Sequence, residues 1–126
     1  MKNTFFRTRV PIYGGELTVH VVSDLKKARE ATQSKYGEIS GAHKYGWGLF
    51  SANDRHYGIF FLRDRIGHDI IAHEAVHLVH QIMADTGLSG DLYWDEPCAY
   101  LMLWAVGWIT ENLSEKKIAV KSKICL

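Results

Sequence analysis

The sequence predicts an α+β domain, and three observations carry that prediction. Two pairs of β-rich segments are each joined through residues suited to tight turns, and a single helical stretch separates the pairs. A stretch at 67–86 then sorts its apolar and polar residues onto opposite helix faces. An almost wholly apolar helix follows it, to about Leu113.

Taken in order, residues 4–22 read as two strands joined at Tyr13-Gly14-Gly15-Glu16, because Gly-Gly supplies the positive φ of a tight hairpin. Asp24 is placed to N-cap a helix over roughly 25–36, with Gly37 as its stop. From His43 to Leu62 aromatic and β-branched residues return, and Ser51-Ala52-Asn53-Asp54 offers turn chemistry between two further strands. Gly46, Gly48 and Gly58 mark places where a bulge or a close backbone approach is expected. The next helix starts near Gly67-His68-Asp69 and runs to Thr86, with Gly87 as its stop. Asp95-Glu96-Pro97 is an acidic, proline-containing start for the last helix, and Asp95 is suited to N-capping it.

The 126 residues suit one domain, read as 1–115 followed by a basic, solvated tail at 116–126 that carries Lys116, Lys117, Lys121 and Lys123. A formal charge of +1, with 23% charged residues, gives no basic field that would point to nucleic acid. The longest apolar run, Pro97 to Ile109, falls short of the ~20 residues that span a bilayer, and the first residues lack the apolar core of a secretory signal. Cys98 and Cys125 do not form a disulfide framework or a thiolate metal site, so a cytoplasmic protein is expected, as a monomer or weak dimer. Trp104 and Trp108 are expected in the core, and Cys98 as a buried thiol.

His73-Glu74-Ala75-Val76-His77 is the stretch with chemistry in it. On a helix, His73 and His77 share a face and can bind one Zn²⁺, while Glu74 is set to act as general base toward a metal-activated water. Seven histidines and seven glutamates in this length would produce the pattern by chance roughly 0.02 times. At 100° per residue, His73, His77 and His80 fall within about 60°, and Ile71, Ala75, Leu78, Val79 and Ile82 lie opposite. His80 lies about 10 Å along the axis from His73, too far to join both other histidines on one ion. A catalytic zinc site needs a third protein ligand. Glu96, 19 residues beyond His77 in the first turn of the next helix, is the candidate. If the two helices pack antiparallel, Glu96 reaches the metal-facing side in one stripe with Tyr100, Leu103 and Gly107, and Gly107 allows close approach.

His73, His77 and a downstream helical glutamate resemble the gluzincin metallopeptidases, the clan of thermolysin, across roughly residues 67–110. Asp95-Glu96-Pro97-Cys98-Ala99-Tyr100-Leu101 is similar to the D-E-P-x-A-Y-L helix of short H-E-x-x-H proteins encoded by tailed bacteriophages. The resemblance implies a small zincin-like domain: N-terminal antiparallel hairpins with one intervening helix, then an active-site helix packed antiparallel on a C-terminal helix. It implies one Zn²⁺ per chain, a peptide or protein substrate and, for a phage protein, the host cytoplasm. A metzincin would carry Gly at position 80 and His at 83, where this chain has His80 and Met83.

The chain departs from thermolysin at Tyr100, which replaces an aspartate that orients a zinc histidine. Asp69, Asp91 and Asp95 are the candidates for that task. A transition-state donor would come from His43, His56, Tyr57, Tyr93 or Tyr100, with His80 close to the substrate groove. The strand just before the motif helix, with Tyr57, Ile59 and Phe61, is expected to be a sheet edge to which an extended peptide adds. The same motif also suits a zinc-binding regulatory or interaction protein without turnover, or an amidase acting on a non-protein amide.

Overall fold

The computed structural model describes residues 3–36, 46–51, 55–87 and 95–121. β1 (Thr4–Arg9) and β2 (Glu16–Val22) pair antiparallel from Thr4↔Val21 to Arg9↔Glu16. Their connection is wider than the four residues expected. Val10 N–H donates to the Gly15 carbonyl (2.9 Å), and Ile12, Gly14 and Gly15 all take positive φ. Gly15 is required sterically as well, since a Cβ there would lie 2.8 Å from the Arg55 carbonyl oxygen and 2.9 Å from the Tyr57 ring.

α1 (Leu25–Tyr36) starts as expected, with Lys27 N–H donating to Asp24 Oδ1 at 3.1 Å. Gly37 and His43 lie outside the described residues, as do residues 52–54 of the second turn. β3 (Gly46–Ser51) and β4 (His56–Leu62) pair antiparallel without a bulge, from Gly46↔Phe61 to Ser51↔His56.

The two hairpins are not separate. β2 and β4 pair in parallel over seven residues, giving one mixed four-stranded sheet in the order β1-β2-β4-β3. A parallel pair needs a crossover connection, and α1 lies in it.

This order corrects the expectation for Tyr57, Ile59 and Phe61. β4 is flanked on both sides, and all three side chains are fully buried. The reason is legible in the chain. Ile59-Phe60-Phe61 is apolar on both faces, as an interior strand requires, whereas an edge strand facing water on one side alternates.

Helices cover both faces of the sheet. Leu17, Val19, Val21, Tyr57, Ile59 and Phe61 form one core with α2 (His68–Asp85) and α3 (Asp95–Glu115). Val22 and Phe60 point the other way, toward Leu25 and Ala28 of α1. Trp108 packs on Phe6 with ring centroids 5.1 Å apart, and Trp104 stacks on Trp108. Both are half-buried at the margin of the main core, and Cys98 is half-buried there as well. No helix among the described residues is long and apolar enough to cross a membrane.

The expected division at residue 115 also needs correction. After α3 the chain turns back, Ile118 enters the main core at 6% exposure, and Lys121 forms a parallel bridge with Gly67. Lys121 N–H donates to the Ile66 carbonyl (2.8 Å), and the Lys121 carbonyl accepts from His68 N–H (3.3 Å). Residues 116–121 therefore belong to the domain. The alternation of Ile118 and Val120 among lysines is the signal that a charge count hides.

Candidate metal centre on the second helix

α2 forms where the pattern places it. Gly67 is its N-cap in extended conformation, the Gly67 carbonyl accepts from Ile71 N–H, and Gly87 ends it at φ 79°. Ile71, Ala75, Leu78, Val79 and Ile82 are completely buried, while His73, His77 and His80 are exposed. The predicted faces are the observed ones.

The His73 and His77 rings stand 4.9 Å apart at an interplanar angle of 75°. One turn of helix has brought two imidazoles side by side at the surface, the arrangement a two-histidine metal ligand pair needs.

Glu74 is different. Its helical angle places it between Ile70 and Leu78, one turn to either side, and both are buried. Glu74 itself is only 1% exposed, and neither carboxylate oxygen has a hydrogen-bond partner among the described residues. Burial alone raises its pKa from the ordinary carboxylate value of 4.5 to about 7. Apolar packing does not account for a carboxylate left in this condition, because a leucine or methionine would fill the same space without the desolvation cost.

The remaining site residues are distributed more widely. Glu96 is exposed in the first turn of α3, and among the described residues no three His, Cys, Asp or Glu side chains come together as a metal-binding group. Tyr100, Leu103 and Gly107 share the Glu96 stripe, but the stripe is turned to solvent, opposite the buried Leu101 and Ala105, rather than packed against the motif helix as expected. All are exposed, with Tyr100 at 65% and Leu103 at 75%. Gly107 consequently does not serve close helix approach, since a Cβ there would meet nothing within 4 Å. α2 and α3 do pack on each other, and both contribute to the common core, with Val79 and Met83 from the first and Leu101 and Ala105 from the second.

His56 borders a cavity of about 340 Å³ with Arg9, Gly15 and Glu16, a set that includes no motif residue. Asp69 is in the first turn of α2, one turn before His73. Asp91, Tyr93 and the Asp95 side chain lie outside the described residues.

Sequence reasoning missed the means by which the motif helix is tied to the sheet. The Tyr57 hydroxyl donates to Asp85 Oδ2 at 2.7 Å, and Gln81 Nε2 donates to Asp85 Oδ1 at 2.9 Å. Burial, and then the bond to Asp85, push the Tyr57 phenol up to about 12, so it stays a donor at any physiological pH. The available signal was the spacing of Gln81 and Asp85, which share a helix row.

Set against family models, curated proteins and solved structures, the chain matches none of them.

Proposed function

We propose that the protein is a zinc-dependent peptidase of gluzincin type, and that Glu74, buried and unpartnered among the described residues on the helix that pairs His73 with His77, is the observation that carries this reading. The two adjacent imidazoles fit the group. Two imidazoles suit zinc, and a carboxylate with no partner is poised for a proton rather than for packing. In this reading His73 and His77 hold the metal, with Glu96 as third donor from the start of α3. Bound zinc would supply Lewis acidity toward water and a substrate carbonyl.

The chain's own residues do the rest. Glu74 takes a proton from the attacking water and delivers it to the leaving amine. A carboxylate with no hydrogen-bond partner of its own among the described residues suits both transfers, because no competing donor holds its oxygens. An extended peptide would add at β3, which ends the sheet and contacts α2, rather than at β4.

The test is hydrolysis of a mixed peptide library by zinc-loaded protein, by chelated protein and by Glu74→Gln. Cleavage by the first alone supports the proposal. If Glu74→Gln cleaves as fast as wild type, or if loaded wild type cleaves nothing, the reading fails. A second reading, a zinc-binding interaction protein without turnover, is favoured by the exposure of Glu96, which joins no three-residue donor group among the described residues. It predicts that Glu74→Gln retains the biological effect while His77→Ala loses it. An amidase acting on a non-protein amide would use the same groups and would be recognised by its substrate alone.

A further inference from the structure

A second site lies outside the motif helix. α3 ends in a tight reversal in which Ile118 N–H donates to the Leu113 carbonyl (2.9 Å) and Lys117 N–H to the Ser114 carbonyl (3.0 Å). This is the bonding of a Schellman cap, in which the residue at position 117 must be left-handed. Lys117 is so, at φ 58°, whereas α2 uses Gly87 at φ 79° for the same task. A lysine here carries a backbone cost that glycine avoids.

Between this reversal and the single 3₁₀ turn Arg63–Arg65 is a cavity of about 280 Å³, lined by Arg63, Asp64, Lys117, Ile118, Ala119 and Lys121. Three cations and one carboxylate meet there. Among the described residues neither Lys117 nor Lys121 has an ion-pair partner, and Arg63 is held in place by its Nη2 bond to Thr4 Oγ1 (2.7 Å). At ~30 Å³ per water, the space is several waters large, ample for a tetrahedral oxyanion with something attached.

We propose that this cavity is an anion site for a phosphate group, free or as a phosphomonoester, recognised by Arg63, Lys117 and Lys121. Arg63, anchored through Nη2 to Thr4, supplies a fixed positive charge and the lysines supply point charges on flexible stems. Asp64 opposes the anion and sets its affinity below what three cations alone would give. An occupant would bridge the 3₁₀ turn to the C-terminal segment, the two pieces of chain that meet at the start of α2. The site is independent of the metal reading.

The experiment is a titration with inorganic phosphate at constant ionic strength, followed by amide chemical shifts and by Tm, for wild type, Lys117→Gly, Lys121→Met and Asp64→Asn. The site predicts saturable shifts at residues 63–64 and 117–121, and binding weakened about tenfold in Lys117→Gly and Lys121→Met. Asp64→Asn should bind several-fold tighter. Lys117→Gly should also show an unliganded Tm at or above that of wild type, so loss of binding there cannot be loss of fold. A parallel titration with glycerol phosphate separates the sources: tighter than phosphate means a phosphorylated ligand, weaker means the free anion, and either supports the site. A response no larger than that to chloride, or Lys117→Gly and Lys121→Met binding phosphate as wild type does, overturns it.

Discussion

The two helices on the main face of the sheet treat their glutamates in opposite ways. Glu74 of α2 lies in a row of buried apolar residues with both oxygens unpartnered, while Glu96 of α3 stands in water at a helix start. The second arrangement explains itself, since a carboxylate near a helix N-terminus gains ~0.3–1 kcal/mol from the macrodipole. The first does not, because a desolvated acid destabilises the fold unless some other role keeps it. The residue with no structural reason for its burial is therefore on α2. α3 contributes packing through Leu101, Ala105, Ile109 and Leu113, together with an outward stripe of Ala99, Tyr100, Leu103 and Gly107.

The sharpest way to break this contrast is to neutralise each glutamate. Glu74→Gln is expected to lower peptide hydrolysis by about 10²–10⁴-fold with zinc retained, the range for losing a general base, as turnover assays with metal analysis would show. Glu96→Gln, which keeps the shape but weakens a ligand, should act on zinc affinity instead, read by competition with a chromophoric chelator.

A smaller effect concerns stability in the metal-free protein. Because the folded carboxyl of Glu74 titrates near 7 and the unfolded one near 4.5, the folded state holds its proton longer. Stability is then unaffected below about pH 4.5, falls as pH rises to about 7, and stays level above that. The loss is roughly 3 kcal/mol at about 1.4 kcal/mol per unit. Urea melts of chelated protein should show this decline, and Glu74→Gln should remove it.

Smaller still is Tyr57→Phe, which deletes the donor to Asp85 and should cost about 1 kcal/mol in the same melts. Least of all, Leu103→Ser on the outward stripe of α3 should change stability by no more than about 0.5 kcal/mol. A larger loss would mean that this face is covered in solution.

Much of this was legible in the chain. The 3.6-residue period of 67–86 gave both faces of α2, and Asp24, Gly15 and Gly87 took the roles that their chemistry suits. What local patterns do not contain is long-range pairing. Nothing between residues 16 and 62 announces that β2 and β4 lie parallel, and that pairing moved Tyr57, Ile59 and Phe61 from an expected edge to the centre. The C-terminal segment misled for a related reason. Its lysines are exposed as their charge requires, yet Ile118 anchors the backbone beneath them. At the site, the alignment of His73 with His77 followed from spacing alone. The burial of Glu74 required knowing that Ile70 and Leu78 both turn inward.

Zinc stoichiometry, measured by elemental mass spectrometry on purified wild type, His73→Ala, His77→Ala, Glu96→Ala and Glu74→Gln, decides whether α2 holds a metal. A site built from His73, His77 and Glu96 gives near one zinc per chain in wild type and Glu74→Gln, and loses it in both histidine variants and in Glu96→Ala. Retention in Glu96→Ala alone would reassign the third ligand. Wild type that neither carries zinc nor takes it up after chelation and zinc addition would rule out the metal site and leave His73 and His77 as two histidines on a polar helix face.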